Sequence, residues 1–309
     1  MKNGQISIHI SGSTGFVGLN LTKYLSESGH HITPINLRHP DTITFPPHAK
    51  AIIHLAGKAH DLKKTSCPEE YYEVNTELSK CVFDAFLISD AEVFITLSSV
   101  KAVADSFTGV LTEDVVPHPQ THYGKSKLLA EQYILSKPLP TGKRVYILRP
   151  CMIHGPGNKG NLNLLYNVLS KKIPWPLASF HNQRSFLSIE NLCFVIKELI
   201  KREDIPSGIY QVADDIPLST NQVINLIAET LNFKPQLWQI PKYLITGISK
   251  VGDILGLPLN TERLQKLTEN YVISNQKIKK ALRQDLPLSS SEGILKTIHS
   301  FKQKTAIMF

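Results

Sequence analysis

Three glycines at positions 12, 15 and 18 lie between a short strand and a helix near the start of the chain. Ile6-Ser7-Ile8-His9-Ile10 alternates and is rich in isoleucine, as a strand is. Residues 19–28 read as a helix. Glycine lets a backbone turn tightly and lets another group approach it closely. A strand, a glycine turn and a helix in that order aim backbone N–H groups from a helix N-terminus, which suits a pyrophosphate. A plain glycine-rich turn explains less of this context. Gly12, Thr14, Gly15, Phe16, Val17 and Gly18 are therefore candidate dinucleotide contacts.

Further along, residues 31–37 read as a second strand, ending in Asn36-Leu37-Arg38-His39. A NAD-binding chain usually offers an acid there to the ribose hydroxyls. Asn36 and Arg38 offer none, and an arginine suits the extra phosphate of NADP. NADP(H) is the favoured cofactor and NAD the alternative. Residues 51–57 form a buried strand closing in Leu55-Ala56-Gly57, small enough for close cofactor approach. A helix beginning near Tyr72 continues to about Leu87 and carries Asn75. Residues 93–99 read as a strand ending in Ser98 and Ser99, and a long loop then runs to Pro119. In the next helix Tyr123 and Lys127 lie on one face, a turn apart. A nearby ammonium lowers a phenol's pKa, and such a phenol can exchange a proton with a hydroxyl or carbonyl. Residues 144–150 and 209–213 read as strands, 152–157 as a turn and 219–231 as a helix. The segment 241–255 is amphipathic, with lid, core wall and interface all open.

The 309 residues suffice for one large domain or two coupled ones. The net charge of +8 fits either nucleic acid or a small anionic substrate. The basic residues are spread out, and the densest run, Lys277-Ile278-Lys279-Lys280, reads as a solvated helix face. No nucleic-acid module accompanies it, so no nucleic-acid partner is expected. No apolar run reaches the ~18 residues of a membrane span, and the first residues lack the features of a signal peptide. Four scattered cysteines without a Cys-x-x-Cys pair suggest a reduced, cytoplasmic protein with no metal site.

Taken in order, Gly12-Ser-Thr-Gly15-Phe-Val-Gly18, His54-Leu-Ala-Gly57, Asn75-Thr76, Ser98-Ser99, Tyr123-Gly-Lys-Ser-Lys127, Arg149-Pro150 and Gly155-Pro-Gly157 resemble the extended short-chain dehydrogenase/reductases. These are nucleotide-sugar epimerases, dehydratases and ketoreductases. The resemblance spans nearly the whole chain. It implies an α/β fold: a Rossmann-type doubly wound parallel sheet with a smaller C-terminal α/β substrate domain. The expected division is 1–170 for the cofactor, with later segments crossing back, and 171–309 mainly for a sugar nucleotide. It also implies a homodimer, built on the helices holding residues 75–87 and 123–135.

The resemblance makes Tyr123 the acid/base residue. Lys127 would hold the nicotinamide ribose and depress the tyrosine pKa. Ser99 would hydrogen-bond the reacting sugar oxygen, with Ser98 as the fallback, and Asn75 would lie near the cofactor. Residues 155–186 resemble the subgroup acting on UDP-N-acetyl sugars, which places Arg184 on the nucleotide diphosphate. Asn161 is a second diphosphate contact or a helix cap, and Arg263 reaches the phosphates or faces solvent. Where 4,6-dehydratases carry an Asp-Glu pair this chain has Val100-Lys101, which disfavours dehydration, and Ala102-Val103-Ala104 replaces a common Val-Tyr-Gly. The expected activity is NADPH-dependent reduction of a 4-keto sugar nucleotide. A UDP-hexose 4-epimerase is the alternative, and a non-catalytic NADP-binding regulator comes third.

Overall fold

A computed structural model describes residues 5–39, 42–59, 67–158, 160–256 and 260–307. In chain order the elements are β1 (Ser7–Ser11), α1 (Phe16–Glu27), β2 (His31–Pro34), β3 (Ala49–His54), α2 (Pro68–Tyr72), α3 (Leu78–Ile88) and β4 (Val93–Leu97). They continue with β5 (Val110–Leu111), α4 (His122–Ser136), β6 (Arg144–Pro150), β7 (Met152–His154), α5 (Asn161–Ser170), β8 (Phe186–Ser188), α6 (Ile189–Lys201) and β9 (Gly208–Val212). The last are α7 (Thr220–Thr230), α8 (Lys242–Leu255), α9 (Thr261–Thr268), β10 (Val272–Ile273), α10 (Gln276–Leu282) and α11 (Ser290–Ile307). A π-helical turn, Glu73–Glu77, joins α2 to α3.

Six parallel strands form the main sheet in the order β2-β1-β3-β4-β6-β9. Period-two alternation explains how both faces are covered. Ile8, Ile10, Ile53, Ile95, Tyr146 and Leu148 meet Leu21 and Leu25 of α1 and Leu192, Val195 and Leu199 of α6. Ile52, Phe94, Val145 and Ile147 meet Val82, Phe83 and Phe86 of α3 and Ile134 of α4. Strands apolar on both sides suit a sheet sandwiched between helices. This is the Rossmann-type α/β architecture. The winding reverses between β1 and β3, so the loops after these strands flank a crevice at their C-terminal ends.

A second apolar cluster joins α5, α7, α8, α9 and α11 through Tyr166, Trp175, Ile227, Ile245, Leu264 and Ile298. The chain crosses between the clusters repeatedly. α6 and β9 return to the main sheet, Leu187 of β8 joins its core from the separate β7-β8 pair, and Ile273, Ile278 and Leu282 of β10 and α10 pack there too.

Several local expectations change. The second strand stops at Pro34, three residues early. The helix expected from Tyr72 begins at Pro68, because Pro at the first helical position is preorganised for it. Met152–His154, expected as a turn, is a strand paired in parallel with Phe186–Ser188, a partner 34 residues away in sequence. No helix among the described residues is long and apolar enough to cross a membrane.

Candidate active site at the reversal point of the sheet

Three glycines make the floor of the crevice. Gly12 has φ +68°, and a Cβ there would lie 2.7 Å from the Ala56 nitrogen. A Cβ on Gly18 would lie 2.2 Å from the Gly12 carbonyl oxygen, so helix and turn close on each other through hydrogen atoms alone. A Cβ on Gly57 would meet Lys127 Nζ at 2.9 Å and Asn75 Oδ1 at 3.0 Å. α1 begins with Gly15 as its N-cap, no side-chain cap and no acid in its first turn. Its first N–H groups and the positive end of its dipole are therefore open to an anion. Thr14 is exposed, while Phe16 and Val17 turn their side chains onto the core. Only the backbones of Phe16 and Val17 can serve the turn. A dinucleotide pyrophosphate fits this cradle.

A buried relay holds the cradle together. Ser11 Oγ accepts from the Leu55 and Ala56 nitrogens at 3.2 and 3.3 Å and meets His54 Nδ1 at 2.7 Å. His54 Nε2 meets Ser79 Oγ at 3.0 Å, and Ser79 donates to the Asn75 carbonyl at 2.7 Å. Burial, with the Lys127 charge adding to it, lowers the His54 pKa to about 3, so the ring is neutral. Ser79 has spent its proton on Asn75. Nε2 therefore carries the ring hydrogen and donates to Ser79, and Nδ1 accepts from Ser11. Asn75 in turn binds both backbone groups of Lys58, accepting from N at 2.8 Å and donating to O at 3.0 Å, and donates to Ser126 Oγ at 3.0 Å. The π-helical turn buries Asn75 and Thr76 against α4.

Tyr123 sits in the first turn of α4, where Thr121 caps the Gly124 nitrogen and Asp105 accepts from Gln120 N, Thr121 N and Thr121 Oγ1. Ser99 lies beside its phenol, close enough to act on its pKa, and Ser99 Oγ accepts from Lys101 N at 3.1 Å. Ser98 Oγ points the other way and donates to Glu131, which is locked to Arg149 by Nε bonds of 3.0 and 3.2 Å and an Nη2 bond of 2.5 Å. Lys127 does not act on Tyr123 as expected. Its ammonium donates to the Leu97 carbonyl at 2.9 Å, under Gly57. Burial raises the Tyr123 pKa, Ser99 opposes this, and Tyr71 adds to it. Burial also lowers the Lys127 pKa to about 8, with Glu131 opposing.

The outer wall contains residues that motif reading missed. Tyr71 packs edge-on against Tyr123, with ring centroids 6.4 Å apart. Lys101 lies over the Tyr271 ring at 4.4 Å and donates to the Asp105 carbonyl. Burial lowers its pKa, and Glu269, Asp105, Arg184 and Lys266 also act on it. Tyr271 anchors this loop by donating to Ala104 O at 2.6 Å. Tyr71 and Tyr271 carry no local motif; only the tertiary fold brings them here. Arg184 is 3.6 Å from Glu269 and donates to the Lys266 carbonyl, so it lies at the end of α9 on the same wall. Arg263 is exposed on α9. Asn161 opens α5, and its side chain lies outside the described residues. At the other end of the crevice Asn36 Oδ1 accepts from Arg38 N at 3.0 Å, and Arg38 is exposed with no acidic partner among the described residues.

A sequence profile described as the NAD dependent epimerase/dehydratase family matches residues 8–213. A UDP-glucose 4-epimerase of Vibrio cholerae is 29% identical over 320 aligned positions, covering 96% of each chain. A GDP-6-deoxy-D-mannose reductase of Pseudomonas aeruginosa is 22% identical, covering 76% of this chain and 83% of its own. The structure of RMD from Pseudomonas aeruginosa complexed with NADPH superposes with a TM-score of 0.74 at 18% identity, covering 96% of this chain and 99% of that one. That last likeness is one of fold.

Proposed function

Because the chain belongs to the NAD dependent epimerase/dehydratase family, we propose that it is an NADP(H)-dependent reductase of a nucleotide-linked 4-keto hexose, with a UDP-linked N-acetyl sugar as the substrate class. The observation that carries this reading is the end of β2, where Arg38 stands exposed and Asn36 replaces an acid. The guanidinium suits a ribose phosphate, and nothing at Asn36 would repel one. Bound NADPH supplies the hydride to C4. The turn of Gly12, Gly15 and Gly18 holds the pyrophosphate, and Lys127 under Gly57 holds the nicotinamide ribose. Tyr123, kept protonated by burial, gives its proton to O4 as the carbonyl is reduced. Ser99 shares that oxygen with Tyr123 and orients it. Arg184 and Lys101 give the diphosphate a cationic wall. Exposed Leu129 and Leu135 on α4 and Ile88 at the end of α3 suit a homodimer through these helices.

The test is turnover of UDP-4-keto-6-deoxy-N-acetylglucosamine with each cofactor. Stoichiometric NADPH oxidation is expected, with Arg38→Ala raising KM for NADPH and leaving KM for NADH nearly unchanged. Tyr123→Phe should lower kcat by about 10²–10⁴-fold while dinucleotide binding persists. The second reading, a UDP-hexose 4-epimerase, is favoured by the Vibrio cholerae relative that matches over 96% of each chain. Purified protein that retains NAD and interconverts UDP-GlcNAc and UDP-GalNAc without added cofactor would establish it and sink the reductase.

A further inference from the structure

The helix α8 turns its large side chains outward. Of residues 241–256 only Ile245, Ser249 and Gly252 are buried, a narrow seam at spacings of four and three. Two of those three are small, so α8 rests on the C-terminal cluster mainly through Ile245. Tyr243, Leu244, Ile248, Val251, Ile254 and Leu255 are all exposed, Tyr243 at 75% and Ile254 at 83%. With 3.6 residues per turn these six fall within roughly 140° of arc, on the side away from the seam. Trp238, 52% exposed, stands just before the helix.

We propose that this face docks on an anionic phospholipid bilayer, with α8 lying in the plane of the interface. Charge selects the occupant. Lys250 borders the apolar arc on α8, Lys242 lies beside the seam with its ammonium over the Phe180 ring, and exposed Lys171, Lys172 and Lys234 lie in neighbouring segments of the same domain. The one acid of α8, Asp253, is engaged in capping α9, accepting from Thr261 N at 3.0 Å and from Thr261 Oγ1. The whole chain carries +8. A helix with an apolar face, a bordering lysine and aromatic side chains, on a chain of positive net charge, matches the interface of an anionic membrane. A second copy fits less well. A helix face about 21 Å long and ~10 Å wide presents roughly 200 Å², well short of the ~800 Å² per partner of a stable dimer. Because α8 packs on α9, whose end accepts from Arg184, docking would hold the outer wall of the crevice at the bilayer surface.

The experiment is cosedimentation of the full chain with vesicles of phosphatidylglycerol and phosphatidylethanolamine in equal parts, against vesicles of phosphatidylcholine. Binding is expected to the first and not to the second. The variant Ile248→Glu with Ile254→Glu should lose about ten-fold or more in partitioning, because two apolar side chains leave the membrane face. Both positions are exposed, so dinucleotide binding and the thermal transition should stay unchanged. Three results would overturn the proposal. The wild type fails to bind anionic vesicles at low salt. The double variant binds as well as the wild type, leaving only surface charge. Or the wild type forms an oligomer that the variant dissolves while neither binds vesicles, which assigns the face to a second copy.

Discussion

Lys127 shows how one buried cation sets a pH limit. Burial lowers its pKa to about 8, against a neighbouring Glu131 that raises it. The ammonium is therefore present below about pH 8 and lost as pH rises through it. An unfolded lysine keeps its proton to about 10.4, so the native state binds fewer protons between about 8 and 10. Stability should rise with pH in that window even as affinity for a ribose hydroxyl falls. Cofactor affinity followed by fluorescence should show an alkaline limb near 8, and Lys127→Arg should move that limb upward, because a guanidinium stays charged. An affinity that is flat to pH 10 would remove the lysine from the cofactor site. The pairing of Tyr123 with Lys127 was legible from their spacing, but its electrostatics were not. Spacing places two Cβ atoms on one face. It does not say that the Leu97 carbonyl takes the ammonium while the phenol lies beside Ser99.

At the scale of elements, β4, α4 and β6 are tied by one buried ion pair. Glu131 and Arg149 are each 2% exposed, and Ser98 donates to the same carboxylate. Glu131→Gln would leave the guanidinium buried without its counter-charge, at a cost of about 3–5 kcal/mol. Urea unfolding measures it. The double variant Glu131→Leu with Arg149→Met should recover most of that loss, since apolar side chains of similar volume often replace a buried pair without penalty. A single variant as stable as the parent would show that the pair does not hold these elements. The strands themselves were easy to read. Val93–Leu97 and Arg144–Pro150 are apolar runs bounded by turn residues. β7 escaped because three residues that pair with a distant partner carry no local period. The glycine turn was legible because short-range geometry demands glycine at positions 12 and 18, whereas Ser99 was marked only by the family resemblance. Tyr71, Lys101 and Tyr271 were not legible, since each reaches the crevice from a separate element by tertiary packing.

For the molecule as a whole, the main sheet is not completed by the first half of the chain. β9 supplies its sixth strand and α6 covers one face. Residues 1–170 alone would leave β6 as an open edge and strip Leu192, Val195 and Leu199 from the core. Such an exposed edge pairs with other chains. That fragment should be insoluble on expression, whereas residues 1–307 should give one cooperative thermal transition; a soluble, dinucleotide-binding fragment would show that the first half folds alone. The same threading bears on synthesis. β6 ends at Pro150 and β9 begins at Gly208, 58 residues later. At ~5–20 residues per second the fifth sheet strand waits roughly 3–12 s on the ribosome for its neighbour. Through that interval the nascent chain presents an apolar strand edge, a natural client for a chaperone that shields β-strands until translation has passed the crossing.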